Sequence, residues 1–241
     1  MMPDFGSFQE FFKKSLRAVF FDFDGVIIDS ESGHYEAFTE MLRGAGILID
    51  DLEYQQEYVG HELEWNINRA LELHKKELSQ ERVRFLMGEK ADHFNKLMPG
   101  LDVFVGVREF FDIVYARNIP VAVVSSSLRK EVEAALKHLG LLNKVVCVVA
   151  ADDLRSGERK PSPVPYERGL KLVCEKNNVK ILPEECLVIE DSGGGVKSGK
   201  AAGMKVLAVT NSFPKEKLFD AGADWVVESL IISVAARESQ I

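Results

Sequence analysis

Two carboxylates spaced two residues apart, Asp22 and Asp24, followed at once by Gly25, are the side chains in this sequence best placed for chemistry. In an extended backbone residues i and i+2 point to the same side, so the pair converges. Two converging anions repel unless a cation sits between them, and a hard divalent ion, magnesium above all, suits such an oxygen site. A second acidic pair, Glu190 and Asp191, precedes another glycine-rich turn, and three hydroxyls, Ser125, Ser126 and Ser127, precede a helix-like segment that starts near Leu128. Hydroxyls and free amides at a helix start are suited to holding phosphate oxygens. Each feature also has an ordinary structural reading. Asp-Gly is a common turn, serine caps helices, glycines permit tight packing, and Lys160 is a loop lysine with Arg155 and Arg159 close by.

The elements that must position these groups are visible as apolar runs. Ala18–Phe21 reads as a short strand buried on both faces, and Gly25 lets the chain turn sharply after it. Further runs at 119–124, 145–150, 186–189, 205–209 and 225–227 alternate with helix-length amphipathic segments, the pattern of βαβ units around a parallel sheet. The acids and the serines therefore fall at the carboxyl ends of strands, the edge where open α/β sheets bind ligands. Residues 33–103 carry no strand signal. There, Ser30 can cap a helix through Tyr35, Phe38, Met41 and Leu42, a second helix runs through Leu63, Ile67 and Leu71, and a third from Ser79 to Leu97. The expected architecture is α/β: a doubly wound, Rossmann-like core of residues 17–32 and 104–241 with an all-helical cap, 33–103, inserted after the first strand. Residues 1–16 form an extension whose Phe5, Phe8, Phe11 and Phe12 lie close to helical spacing and are expected to pack on the core.

The stretch from Asp22 to Glu31 resembles the first signature of the haloacid dehalogenase-like superfamily, D-x-D-G-V-x-x-D-S/T-E. The remaining signatures of that superfamily follow in order: Ser125 at the end of the second strand, Lys160–Pro161, and the glycine-rich E-D-S motif from Glu190. The resemblance implies Asp22 as a nucleophile that takes a phosphoryl group and Asp24 as general acid and base. It further implies that Ser125, Ser126 and Gly25 hold the phosphate, and that Lys160 neutralises charge as it builds. Magnesium would be held by Asp22, Asp24 through its backbone carbonyl, Glu190 and Asp191. Val164 departs from the family pattern, which has an acid there, and Ser198 and Gly199 stand where alanines are frequent.

A helical insertion directly after the first signature looks like the β-phosphoglucomutase and phosphoglycolate phosphatase group. The expected function is a magnesium-dependent phosphatase acting on a small phosphorylated metabolite, with a phosphosugar mutase as the alternative and a non-catalytic binding protein as the more remote one. His34 fits the histidine that mutases of this group carry, and the segment from Tyr58 to Leu63 follows the group's cap-loop pattern, which adds His61 to the expected substrate-binding residues. Leu63, however, stands where the mutase has a phosphate-gripping arginine; Arg69 is a possible substitute. Asp24 disfavours carbon–halogen hydrolysis, since those relatives lack an acid there. Lys75 or Lys76 as a Schiff-base lysine competes with a solvated helix face.

Composition narrows the partners. The formal charge of −8 and the lack of a basic stripe argue against nucleic acid. No apolar stretch approaches the roughly 18 residues of a membrane span, and the N-terminus lacks the basic start and apolar block of a signal peptide. Cys147, Cys174 and Cys186 lie in apolar surroundings without metal-like spacing and read as reduced packing residues, which fits a cytoplasmic location; the protein is expected to be a monomer.

Overall fold

In the computed structural model, which describes residues 5–59, 63–97, 100–155 and 157–231, the apolar runs form six strands. They are β1 Ala18–Phe21, β2 Val121–Val124, β3 Cys147–Val149, β4 Cys186–Glu190, β5 Lys205–Val209 and β6 Trp225–Val227. They pair in parallel in the order β3-β2-β1-β4-β5-β6. Every residue of β1, β2 and β4 is buried, which is why these strands read as unbroken apolar runs and not as alternation. The direction of winding reverses between β1 and β4. In a doubly wound sheet the crevice beyond the carboxyl ends at such a switch point is where ligands bind.

Helix α6 Val107–Ala116 leads into β2, and α7 Arg129–His138, α8 Val164–Asn177, α9 Gly193–Ala201 and α10 Lys215–Asp220 connect the later strands in turn. Phe20, Val124, Tyr166, Val188, Val206 and Leu218 belong to one buried cluster that joins the sheet to α8, α9 and α10. The N-terminal phenylalanines lie on a helix, α1 Phe5–Lys14. Phe8 and Phe11 approach the Trp225 ring at 5.2 and 5.6 Å, Phe12 lies 5.7 Å from Phe110, and the Trp225 indole donates to Ser7 Oγ at 3.0 Å. The extension therefore covers β6 and α6.

The chain divides into two compact units, Met1–Asp29 with Asp102–Ile241, and Ser30–Leu101. The second is all-helical among its described residues: α2 Glu31–Gly44, α3 Asp51–Glu57, α4 Leu63–Leu73 and α5 Gln80–Leu97. It has a core of its own around Phe38, Met41, Leu42, Tyr54, Ile67 and Leu86. Two details differ from the sequence reading. Ser30 occupies the N-cap position of α2 but its side chain makes no capping hydrogen bond. Helix α3 is additional; Asp50 caps it by accepting from the Glu53 amide at 2.8 Å, a D-x-x-E signal legible in the sequence.

Where the helical unit leaves the sheet unit the two connecting segments run side by side. The Asp29 amide donates to the Asp102 carbonyl at 3.0 Å and the Phe104 amide to the Ile27 carbonyl at 3.1 Å. Among the described residues no helix is long and apolar enough to cross a membrane.

Candidate active site

The register of β1 on β4 assembles the acidic centre. Phe21 pairs with Ile189, so Asp22 and Glu190 emerge next to each other, and the Asp22 amide donates to the Ile189 carbonyl at 2.9 Å. Asp22, Glu190 and Asp191 are all buried. One carboxylate oxygen from each lies within 4.8 Å of the others. Lys160, whose side chain is 10% exposed, reaches this cluster from the loop before α8 and bonds Asp22, Glu190 at 2.6 Å and the Val124 carbonyl at 3.1 Å. Arg155 and Arg159 stay exposed.

Glu190 accepts from five donors. One oxygen accepts from Lys160 and from the buried Tyr166 hydroxyl at 2.8 Å; the other accepts from the Asp191 amide, the Ser192 amide and Ser192 Oγ at 3.0–3.2 Å. The glycine turns make room for these acids. A Cβ at Gly195 would overlap the Glu190 carboxylate, and one at Gly25, whose φ is +77°, would overlap that of Asp191.

Asp24 lies just beyond Asp22, and one of its oxygens accepts from Ser127 Oγ at 2.7 Å and from Ser125 Oγ at 3.4 Å. Ser125 Oγ in turn accepts from the Ser127 amide at 2.9 Å. Ser126 is exposed, so the structure brings Ser125 and Ser127 to Asp24 and turns Ser126 away. Ser127 was open to sequence reasoning, because extended residues two apart share a side and the run Ser125–Ser127 has that spacing.

Charge balance gives the cluster its chemistry. Burial raises the Asp22 carboxyl well above the usual carboxylate range; Lys160 opposes this, while Glu190, Asp191 and Asp24 add to it. Burial, then Glu190, pushes Asp191 up to about 7 against the hydroxyl of Ser212 and the charge of Lys160. Burial alone would neutralise Lys160, yet Asp22 and Glu190 outweigh it and hold the ammonium charged well above the ordinary lysine range. Three buried carboxylates facing one ammonium favour a further cation, and an all-oxygen donor set suits a hard divalent one. Asp22, Glu190 and Asp191 could coordinate such a metal.

The helical unit holds a separate cavity of about 210 Å³, lined by Glu31, His34, Tyr54, Tyr58, Asn66 and Lys90 among others. The His34 ring stacks on Phe94 with centroids 4.1 Å apart, and its Nδ1 lies 2.7 Å from Lys90 Nζ. An ammonium can only donate, so Nδ1 is the acceptor and a neutral His34 carries its proton on Nε2. Asn66 donates to the Tyr58 carbonyl at 3.0 Å. Arg69 bonds Glu57 at 2.8 and 2.9 Å and Glu72 at 2.9 Å, in a surface depression that also contains Trp65. His61 and Glu62 lie outside the described residues.

Residues 19–209 match the family model described as haloacid dehalogenase-like hydrolase. Among curated proteins, the chain is 31% identical to a phosphorylated carbohydrates phosphatase of Thermotoga maritima, covering 86% of this chain and 92% of that protein. It is also 31% identical to the fructose-1-phosphate phosphatase YqaB of Escherichia coli, over 78% and 94% of the two chains. Among solved structures, β-phosphoglucomutase from Clostridium difficile superposes with a TM-score of 0.68 at 27% identity, covering 89% of this chain and 92% of that one.

Proposed function

Since the chain belongs to the haloacid dehalogenase-like hydrolase family and is an enzyme of that family, we propose that it is a magnesium-dependent phosphatase. Its substrate is a small phosphate monoester, a sugar phosphate or similar metabolite, and the reaction passes through a phosphoryl group on Asp22. The observation that carries this reading is the convergence of Asp22, Lys160 and Asp191 at the β1/β4 edge, with Asp24 hydrogen-bonded beside them. An Asp22 oxygen attacks phosphorus, the bond to the ester oxygen breaks, and the Asp24 carboxyl gives its proton to the leaving alcohol. Asp24 then takes a proton from water as that water attacks the phosphoaspartate, freeing phosphate and restoring Asp22. Lys160 offsets the charge on the transferring oxygens. The acidic surplus fits a magnesium ion held by Asp22, Asp191, the Asp24 carbonyl and Glu190; when bound it would screen the anionic ester from the anionic nucleophile. The two sugar-phosphate phosphatases among the relatives favour a phosphorylated carbohydrate.

A mutase is the second reading, favoured by the β-phosphoglucomutase likeness and by His34 with Lys90 in the helical cavity. Returning the phosphoryl group to another substrate hydroxyl requires a cation to hold a distal phosphate, a task that suits the planar fork of arginine. Leu63 cannot do this, and Arg69 is committed to Glu57 and Glu72. The deciding experiment supplies a hexose 1-phosphate with a trace of its 1,6-bisphosphate. Phosphate appearing as fast as substrate disappears is the expected result; conversion to the 6-phosphate without stoichiometric phosphate release would replace phosphatase by mutase.

A further inference from the structure

The loop between β5 and α10 supplies two consecutive polar side chains to the acidic centre, although nothing in that loop carries a signature. Ser212 Oγ donates to an Asp191 carboxylate oxygen, and Asn211 Nδ2 donates to the Gly25 carbonyl at 2.7 Å. These two acceptors belong to different strand ends, Asp191 to the end of β4 and Gly25 to the turn after β1. A Cβ at Gly25 would also lie 2.9 Å from Ser212 Oγ, so Gly25, Asp191 and Ser212 meet at one point. The register continues outward, with Glu190 paired to Ala208 on β5, which fixes how far beyond the sheet edge Asn211 and Ser212 extend.

We propose that Asn211 and Ser212 are positioning residues for the metal site, acting through Asp191 and through the Gly25 turn that carries Asp24. The inference rests on the reading of Asp191 as a metal ligand. A carboxylate free to rotate presents either oxygen in many orientations. Ser212 ties down one oxygen of Asp191 and so limits how the carboxylate can turn beside Asp22 and Glu190. Asn211 ties the backbone immediately after Asp24 to the same loop, so the strand ends that would share one cation are braced by adjacent residues of a third. Outer hydrogen-bond partners of metal ligands are typically worth ~10- to 100-fold in metal affinity. Because both side chains are exposed, the lower end of that range applies.

The test is a titration of free Mn2+ followed by EPR, with Mg2+ in competition, so that no turnover is needed. Ser212→Ala should weaken binding about tenfold and Asn211→Ala a few-fold, each with unchanged circular dichroism. Ser212→Thr, which keeps the hydroxyl, should bind within about twofold of the unaltered protein, a rescue that a purely steric role would not give. Asp191→Asn serves as the reference. If Asp191→Asn loses the metal while Ser212→Ala and Asn211→Ala bind within twofold of the unaltered protein, the positioning role is wrong and the metal site stands. If Asp191→Asn binds as the unaltered protein does, the metal-site reading falls and this inference falls with it.

Discussion

The acidic edge of the sheet unit and the cavity of the helical unit are built on opposite principles. At the sheet edge Glu190 has five donors, Lys160 three acceptors, and two glycines leave space that two carboxylates fill. Little can rotate there. The helical cavity is walled by the rings of Phe38, Tyr54 and Tyr58, and its polar groups come from separate helices. The Asn66 amide oxygen is buried with no partner among the described residues. A site that stabilises developing charge gains from fixed dipoles and charges, whereas a site that recognises polar ligand atoms must leave some of its own polar atoms to be satisfied by that ligand. On the proposed function, the contrast favours chemistry at the first and substrate recognition at the second.

The largest expected effect breaks the chemistry alone. Asp22→Asn should abolish turnover while preserving the fold, since the amide is nearly isosteric but cannot be the nucleophile. Normal turnover in a folded preparation would remove Asp22 from that role. Asp24→Asn should lower kcat by about 100- to 10,000-fold, the usual worth of general acid–base catalysis, and a rate within a few-fold of the unaltered enzyme would refute it. Next comes the packing that holds the edge rigid. Gly195→Ala drives a methyl into the Glu190 carboxylate and should cost about 1–3 kcal/mol, seen as a lower Tm together with lost activity; an unchanged Tm would mean that Glu190 can move aside.

Lys90→Met tests the other region. It should reduce kcat/KM for a sugar phosphate about tenfold or more, in keeping with a lost charged hydrogen bond, and reduce it much less for a small aryl phosphate. Equal losses on both substrates would end the division of labour. The smallest effect concerns pH. Asp191 titrates near 7 in the folded protein against 3.8 for an ordinary aspartate, so the folded state holds this proton more tightly. Its contribution to stability is complete below the unfolded value and is lost as pH rises from about 4 through 7. Magnesium binds the deprotonated form, so it should raise Tm more at pH 7.5 than at pH 5. Equal gains at both would contradict the assignment.

The strands and the acids were legible because both signals are local. A buried parallel strand is a continuous apolar run, and the residue that ends it is the one delivered to the sheet edge, so Asp22, Ser125 and Glu190 could be placed from spacing and resemblance. Partners brought together by tertiary folding were not. Nothing near Arg69 says that Glu57, on another helix, takes its guanidinium, and nothing in Asn211–Ser212 points to Asp191. Nothing around Tyr166 signals its role, and only the fold shows its hydroxyl on Glu190. Helix α3 was missed although Asp50 and Glu53 signalled it, because its seven residues are too few to establish a period.

The paired connections at Asp29–Asp102 and Phe104–Ile27 bear on how such a chain can be remodelled. The ends of the helical insertion already meet, hydrogen-bonded, within the sheet unit. The entropy of closing a loop there grows only logarithmically with loop length. Exchanging Ser30–Leu101 for a shorter or longer helical segment therefore changes the closure cost little and disturbs no strand of the sheet. At this junction, lineages or designers can trade whole helical units while the carboxylate edge is inherited unchanged.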